Sequence, residues 1–226
     1  PIGITPEEII QIKSDFKALD HEFVSYDTRP SDDEEILKRV VDSDAIIVSN
    51  LPISENIIQS CNNLKIISVA FAGVDHIPVD LCTQKKILVS NAAGYSTHAV
   101  AELTIGSAIN LLRKINWADN QTRNGLDREG FFGTELYGKT FGIIGLGQIG
   151  QEVAHLANAF GCKVLAYNRT SKNVPNVEFS SLEYLLKESD IVSLHVALTA
   201  DTQNLIDDNQ LKLMKSSAIL INTARG

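Results

Sequence analysis

Phe141-Gly142-Ile143-Ile144-Gly145-Leu146-Gly147-Gln148-Ile149-Gly150 is the stretch that decides the fold of this 226-residue chain. An apolar run reaches a G-x-G-x-x-G pattern, and Val153, Ala154, Ala157 and Phe160 then follow at helical spacing. A strand that turns through glycines into a helix is the first half of a βαβ unit. Each glycine has its own physical task. Gly145 makes the tight turn, Gly147 lets a pyrophosphate approach the backbone, and Gly150 lets the helix pack on the strand, so helix-terminal N–H groups and the helix dipole face an anion. Gly145, Gly147 and Gly150, with Gln148 and Ile149 between them, are therefore the candidate dinucleotide-binding residues. The pattern alone is weak and a purely structural glycine turn is its alternative; the strand before it, the helix after it and a second strand beginning at Lys163 make it specific.

Downstream the alternation continues, with strands expected near Thr140 to Gly145, Lys163 to Tyr167, Asp190 to His195 and Ala218 to Asn222. Helices are expected near Gln148 to Ala159, Ser181 to Lys187 and Asp208 to Met214, and such an order makes a parallel sheet. The second strand of a dinucleotide fold usually ends at an acid that reads the adenine ribose. Here that place holds Asn168. Asn168-Arg169-Thr170-Ser171-Lys172 offers two cations and several neutral donors, which favours NADP(H) and leaves NAD(H) open. The competing reading makes Arg169 and Lys172 solvated surface charges.

Upstream, Thr5-Pro6-Glu7-Glu8 reads as a capping box before Ile9, Ile12, Phe16 and Leu19. A strand around Phe23 to Tyr26, a helix after Ser31 to Glu34, and strands at Ala45 to Ser49, Leu64 to Ala70 and Ile87 to Ser90 follow. Short helices are expected at Ser54 to Ser60 and Pro78 to Lys85. The turn-prone Asn91 to Ser96 separates this region from a long helix expected over Thr97 to Gln121, so the domains are placed at residues 1–92 and 93–226. Arg123 to Gly138 reads as an extended loop whose adjacent Phe131 and Phe132 need burial, either on another subunit or back on the same chain. A helix at the start and a strand at the end lead us to expect truncation in both domains.

Hydrophobic residues make up 44% and charged residues 21%, ordinary globular values, and runs such as Ala45 to Val48 are too short to cross a bilayer. Twenty Lys and Arg against 28 Asp and Glu give a net charge of −8, which argues against a general grip on nucleic acid while leaving a small basic site open. Cys61, Cys82 and Cys162 are isolated, which favours reduced, mostly buried thiols over a disulfide framework or a zinc site. With no basic, apolar leader pattern at the start, the cytoplasm is the expected compartment. Asp32, Asp33, Glu34 and Glu35 form a helix-start charge run, not a catalytic carboxylate pair.

Several further motifs occur in order: Gly73-Val74-Asp75 after a strand, Asn91 before a glycine-containing loop, Val100-Ala101-Glu102 opening the long helix, Ser189-Asp190-Ile191-Val192-Ser193-Leu194-His195, and Ile221-Asn222-Thr223-Ala224-Arg225-Gly226. With the glycine run, they resemble the D-isomer-specific 2-hydroxyacid dehydrogenases, which include hydroxypyruvate/glyoxylate reductases and phosphoglycerate dehydrogenases, over nearly the whole chain. The resemblance implies an α/β protein: a Rossmann-type dinucleotide-binding domain with a dimerisation arm, a smaller flavodoxin-like substrate domain, and a cleft between them. It also implies hydride transfer between NAD(P)H and a small 2-oxo or D-2-hydroxy acid, and a homodimer.

By the same resemblance, Ala72, Gly73 and Val74 present backbone N–H groups to the substrate carboxylate. Arg225 is the catalytic arginine that orients the substrate, and it counts among the cofactor-binding residues too. A guanidinium fork suits a planar carboxylate, and positive charge near a carbonyl oxygen assists hydride acceptance. Thr223 and Ala224 line the nicotinamide side; His195, Val196 and Ala197 follow the strand beside the cofactor; Thr199 and Thr202 lie near its adenosine half. His195 is weighed as a wall or packing residue, because the family's catalytic histidine and its glutamate belong downstream of the arginine. His76 and His98 are substitutes that more readily read as packing or surface residues, and His21 and His155 have weaker claims. A second class stays open: a dinucleotide-sensing, corepressor-like binding protein without efficient turnover. No metal is expected.

Overall fold

The computed structural model describes residues 4–127, 129–170 and 173–225. The chain divides between Tyr95 and Ser96 into two compact units.

The first unit runs α1 (Pro6–Ala18), α2 (Asp33–Val40), β1 (Ala45–Val48), α3 (Glu55–Ser60), β2 (Ile66–Val69), α4 (Val79–Gln84) and β3 (Leu88–Asn91). The strands form a parallel sheet in the order β1-β2-β3, with Ala45 opposite Ile66 and Ile66 opposite Leu88. Alternation along β1 and β2 sends Ile46, Val48, Ile67 and Val69 into a core completed by Ile57, Ile58 and Cys82. The capping box of α1 forms as the sequence requires: Thr5 N–H donates to the Glu8 carboxylate at 2.7 Å, and Glu8 N–H donates to Thr5 Oγ1 at 3.2 Å. Yet α1 has no buried residue, and Leu19 at its end is 70% exposed.

One expected strand does not form. Phe23 to Tyr26 joins no ladder. Side chains hold this segment instead: Phe23 packs on Phe16 at 5.2 Å between ring centroids, and the Arg39 guanidinium lies 4.6 Å from the Tyr26 ring centroid. The aromatic residues that read as part of a strand are satisfied here by packing on Phe16 and Arg39 of helices.

The second unit runs α5 (Thr97–Arg113), α6 (Ile115–Arg123), β4 (Thr140–Ile144), α7 (Gln148–Ala159), β5 (Lys163–Tyr167), β6 (Val177–Phe179), α8 (Leu182–Glu188), β7 (Ile191–Leu194), α9 (Asp208–Leu213) and β8 (Ile219–Asn222). Its parallel sheet has the order β6-β5-β4-β7-β8, so β4 is central, with β5 on one side and β7 on the other. That reversal in the order of strands about β4 opens a crevice at the carboxyl ends of the strands, where an α/β sheet binds ligands. Phe141, Ile143, Val153, Ala157 and Val164, with Ala101, Ile105 and Ala108 of α5, fill one face; Ile144, Leu165, Leu185, Leu186 and Val192 fill the other.

The single long helix expected over Thr97 to Gln121 is two helices. Lys114 adopts a left-handed conformation (φ +51°), and the Asn110 side chain accepts from Asn116 N–H at 3.2 Å just beyond the break. Gly133 packs against the end of α5, where an added Cβ would lie 3.2 Å from Arg113 Cα, and Thr134 N–H donates to the Leu112 carbonyl at 2.9 Å. Burial stops at the break: Ala101, Thr104, Ile105 and Ala108 of α5 are buried, whereas α6 has no buried residue, and Ile115 is 49% exposed. The loop phenylalanines part company: Phe131 stacks on Trp117 at 5.7 Å, whereas Phe132 is 81% exposed. Cys61, Cys82 and Cys162 are buried, and burial pushes each thiol up, Cys162 to about 11, so they stay protonated at neutral pH.

Candidate functional site

The chain leaves β4 at Ile144 and turns through three glycines with different surroundings. Gly145 has φ +96°, and a Cβ there would lie 2.7 Å from the His195 carbonyl oxygen. A Cβ on Gly150 would lie 2.1 Å from the Gly145 carbonyl oxygen, so only glycine lets α7 sit this close to the loop. Gly147 is different: it has ordinary extended backbone (φ −73°, ψ −163°), and its Cβ direction meets nothing within 4 Å. Gly147 is the N-cap of α7 and offers no side-chain cap, so the first N–H groups of the helix, from Gln148 through Gly150, face that open space.

Both neighbouring strands fix the loop. Gly145 N–H donates to the Tyr167 carbonyl at the end of β5 (2.9 Å), and His195 N–H, just past β7, donates to the Ile144 carbonyl (2.8 Å). Asn168, expected to read the ribose, is itself a brace. Its Oδ1 accepts from Leu146 N–H at 3.0 Å, and its Nδ2 donates to the Thr170 carbonyl at 2.7 Å. The exposed Arg169 lies 4.0 Å from the equally exposed Asp201 carboxylate, an acid that sequence reading did not connect with it. Lys172 lies outside the described residues.

His195 is largely buried, with Nε2 2.9 Å from Ser193 Oγ, and burial pulls its pKa down to about 4, so the ring is neutral at pH 7. Val196 packs over Gly145. Beyond it the Thr202 hydroxyl ties the turn together, donating to the Ala197 carbonyl at 2.5 Å and accepting from Thr199 N–H at 2.8 Å.

After β8 the chain makes a braced turn. The Asn222 side chain accepts from Ala224 N–H at 3.0 Å and donates to the Arg225 carbonyl at 2.6 Å, and Thr223 Oγ1 is 3.2 Å from Thr104 Oγ1 of α5. The Arg225 guanidinium donates to the Ala224 carbonyl at 3.3 Å. Sequence reading missed Asn222, although an asparagine at a strand end is a ready turn brace; Thr104 carries no signal in sequence. The glycine loop, Asn168 to Thr170, His195 to Ala197 and Thr223 to Arg225 thus all follow the carboxyl ends of strands in one sheet.

In the first unit, Ala72 to Val74 follow β2. The Asn91 amide donates to the Ala72 carbonyl at 2.7 Å, and Ala92 N–H donates to the Phe71 carbonyl at 3.1 Å. Among the described residues, the N–H groups of Ala72, Gly73 and Val74 donate to no backbone acceptor. His76, two residues on, has a buried Nε2 without a partner among the described residues. The exposed His98 does have an acid, Glu152 of α7, 3.3 Å from its Nδ1. His21 and His155 are exposed.

Residues 105–226 match the profile of the D-isomer specific 2-hydroxyacid dehydrogenase, NAD binding domain. The chain belongs to the D-isomer specific 2-hydroxyacid dehydrogenase family. It is 39% identical over 200 residues to a D-3-phosphoglycerate dehydrogenase of Methanocaldococcus jannaschii, covering 85% of this chain and 38% of that protein. It is 40% identical over 208 residues to a glyoxylate reductase of Thermofilum pendens, covering 87% of this chain and 61% of that one. Among solved structures, an acyclic imino acid reductase in complex with NADPH and D-Arg superposes with TM-score 0.91 at 36% identity, over 100% of this chain and 72% of that one. A D-lactate dehydrogenase from Aquifex aeolicus, complexed with NAD and lactic acid, superposes with TM-score 0.87 at 32% identity, over 98% and 68%. The chain spans 38 to 64% of the first three curated relatives it matches.

Proposed function

We propose that this chain is part of an NAD(P)(H)-dependent oxidoreductase that interconverts a small 2-oxo acid and its D-2-hydroxy acid. The observation that carries the reading is Gly147: an open backbone position at the uncapped start of α7 that a pyrophosphate fits and a side chain would fill. When bound, the nicotinamide cofactor supplies or accepts the hydride. The chain's own residues bind and orient. Gly145 to Gly150 hold the pyrophosphate, Asn168 to Thr170 flank the adenine ribose, and His195 to Ala197, Thr199, Thr202, Thr223 and Ala224 wall the cofactor. Arg225 grips the substrate carboxylate through its guanidinium fork and places positive charge near the carbonyl oxygen. Ala72, Gly73 and Val74 are the substrate-binding residues of a substrate domain spanning residues 1–92; residues 93–226 form the nucleotide domain with its dimer arm. His195, neutral and tied to Ser193, serves as wall and not as proton donor.

NADP(H) is the favoured cofactor, because Asn168 sets no carboxylate against a 2′-phosphate and Arg169 stands beside it. Glyoxylate and hydroxypyruvate are the substrates we favour, in keeping with relatives named glyoxylate reductase and hydroxypyruvate reductase. A homodimer through α5, α6 and the loop after them is supported by the exposure of Leu103, Leu111 and Phe132. No described helix is long and apolar enough to cross a membrane, and three buried free thiols suit the cytoplasm.

The test is made on the full-length protein. Reduced cofactor is mixed with glyoxylate or hydroxypyruvate and its absorbance followed, for wild type and Arg225→Lys. Turnover should fall by orders of magnitude in the variant with dinucleotide affinity retained. Near-normal turnover would remove Arg225 from the chemistry; dinucleotide binding without turnover on any 2-oxo acid would mark a sensing protein.

A further inference from the structure

We propose that Thr104, in the middle of α5, is a positioning residue that holds the Arg225 turn from inside the protein. This rests on the reading of Arg225 as the substrate-orienting residue. Thr104 is a fully buried hydroxyl among apolar neighbours: Ala101, Ile105 and Ala108 of its own helix belong to the same buried cluster as Ile221 of β8. Its hydroxyl donates to the Val100 carbonyl one turn back, at 2.8 Å. That bond uses its single proton. The 3.2 Å contact with Thr223 Oγ1 then has only one polarity: Thr223 donates and Thr104 accepts.

The consequence is directional. Thr223 is fixed in the rotamer that aims its proton into the core, and its backbone is fixed with it. One residue before, Asn222 bridges Ala224 N–H and the Arg225 carbonyl. Asn222 spans the turn, and Thr104 anchors it to a helix that packs on the same sheet. The Val100 bond alone would satisfy a buried threonine; acceptance from Thr223 is what links α5 to the arginine. Neither bond touches the glycine loop after β4, so removing the Thr104 hydroxyl leaves the pyrophosphate position untouched.

The test uses the full-length protein with Thr104→Val, Thr104→Ser, Thr223→Val and the Thr104→Val/Thr223→Val double variant. Trypsin cleavage after Arg225 reports the looseness of the turn without reference to activity. The affinity for oxamate, a non-reducible 2-oxo-acid analogue, is measured by calorimetry with reduced cofactor saturating. Thr104→Val should speed cleavage and weaken oxamate each by about tenfold, the effect of one buried hydroxyl left unpaired, with reduced-cofactor Kd within about twofold of wild type. Thr104→Ser, which keeps the hydroxyl, should restore both, Thr223→Val should match Thr104→Val in cleavage rate, and the double variant should be cleaved no faster than either single. Wild-type cleavage in Thr104→Val, no rescue by serine, or additive effects in the double variant would each overturn the proposal. Should Thr104→Val fail to fold, Thr223→Val removes the same bond from the half-buried turn, and wild-type cleavage in that variant overturns the proposal equally. If wild type binds no oxamate, the reading of Arg225 fails, and the cleavage rates still test the role of Thr104.

Discussion

Replacing Gly147 with valine should separate cofactor binding from folding. Gly147 sits at φ −73° and ψ −163°, a conformation valine adopts without strain, and its Cβ direction is empty to 4 Å. The unfolded chain loses glycine's freedom, which gains about 0.4–1 kcal/mol, and valine is a poorer N-cap than glycine by a similar amount, so stability should change little. The branched side chain, however, occupies the space in front of the first turn of α7. A pyrophosphate kept away from those N–H groups forfeits one or two charge-assisted hydrogen bonds of about 1.5–3 kcal/mol each. A net loss near 3 kcal/mol is about 150-fold in Kd. Gly150→Ala is the opposite control. Its Cβ would lie 2.1 Å from the Gly145 carbonyl, a backbone atom that cannot swing away, so α7 must shift at a cost of about 3 kcal/mol and the melting temperature should fall by roughly 5–10 °C. Fluorescence titration with reduced dinucleotide and thermal melts read the two effects separately. Gly147→Val binding within threefold of wild type would refute the assignment of the open position to the pyrophosphate.

Asn168→Asp should shrink or invert a preference for NADPH, because the carboxylate repels a 2′-phosphate; equal NADPH-to-NADH affinity ratios in variant and wild type would leave Arg169 a plain surface charge. Asp201→Asn, by freeing Arg169 from its acidic neighbour, should tighten NADPH a fewfold and leave NADH unchanged, with titrations of both cofactors as the check. Phe132→Asp should shift the full-length protein from dimer towards monomer in sedimentation, and a monomeric wild type at micromolar concentration would count against the arm. His195 titrates near 4 when folded and near 6.5 when unfolded, so the unfolded chain takes the proton first. Its contribution is full above about pH 6.5 and is lost as pH falls towards 4, at most about 3 kcal/mol, so His195→Gln should flatten the acid side of the stability profile measured by urea melts.

The features legible in sequence are those whose cause is local. The helix expected at Gln148 to Ala159 and the strand at Lys163 to Tyr167 have those bounds in the structure, because glycine turns and apolar runs mark their ends. β6 escaped because three residues at a sheet edge carry too short a pattern to read. The break at Lys114 escaped because it is made by groups distant in sequence, the Asn110 side chain and the close approach of Gly133 and Thr134. Phe23 to Tyr26 misled because a short run rich in aromatic and β-branched residues looks the same on a sheet as against a helix. In the candidate site, the residues at strand ends were visible by type and position. Their partners were not: Asp201 lies 32 positions after Arg169, and Thr104 lies 119 before Thr223.

These partners reveal a division of labour that the motif does not. Asn168 uses its carbonyl on Leu146 N–H and its amide on Thr170; Asn222 uses both ends of its amide on one turn; the Thr202 hydroxyl is committed to Ala197 and Thr199; His195 is tied to Ser193. The side chains nearest the carboxyl ends of the strands thus brace the loops, while backbone N–H donors at the start of α7 face outward. Backbone donors held this way need no reorganisation when an anion arrives, which is the condition under which they bind most strongly. The same arrangement constrains cofactor choice. An aspartate at 168 still accepts from Leu146 N–H but has no proton for the Thr170 carbonyl, so the turn carrying Arg169 would loosen as the 2′-phosphate was repelled. In the NADP(H) preference proposed above, asparagine acts twice, by leaving out a charge and by fixing the turn on which the neighbouring cation stands.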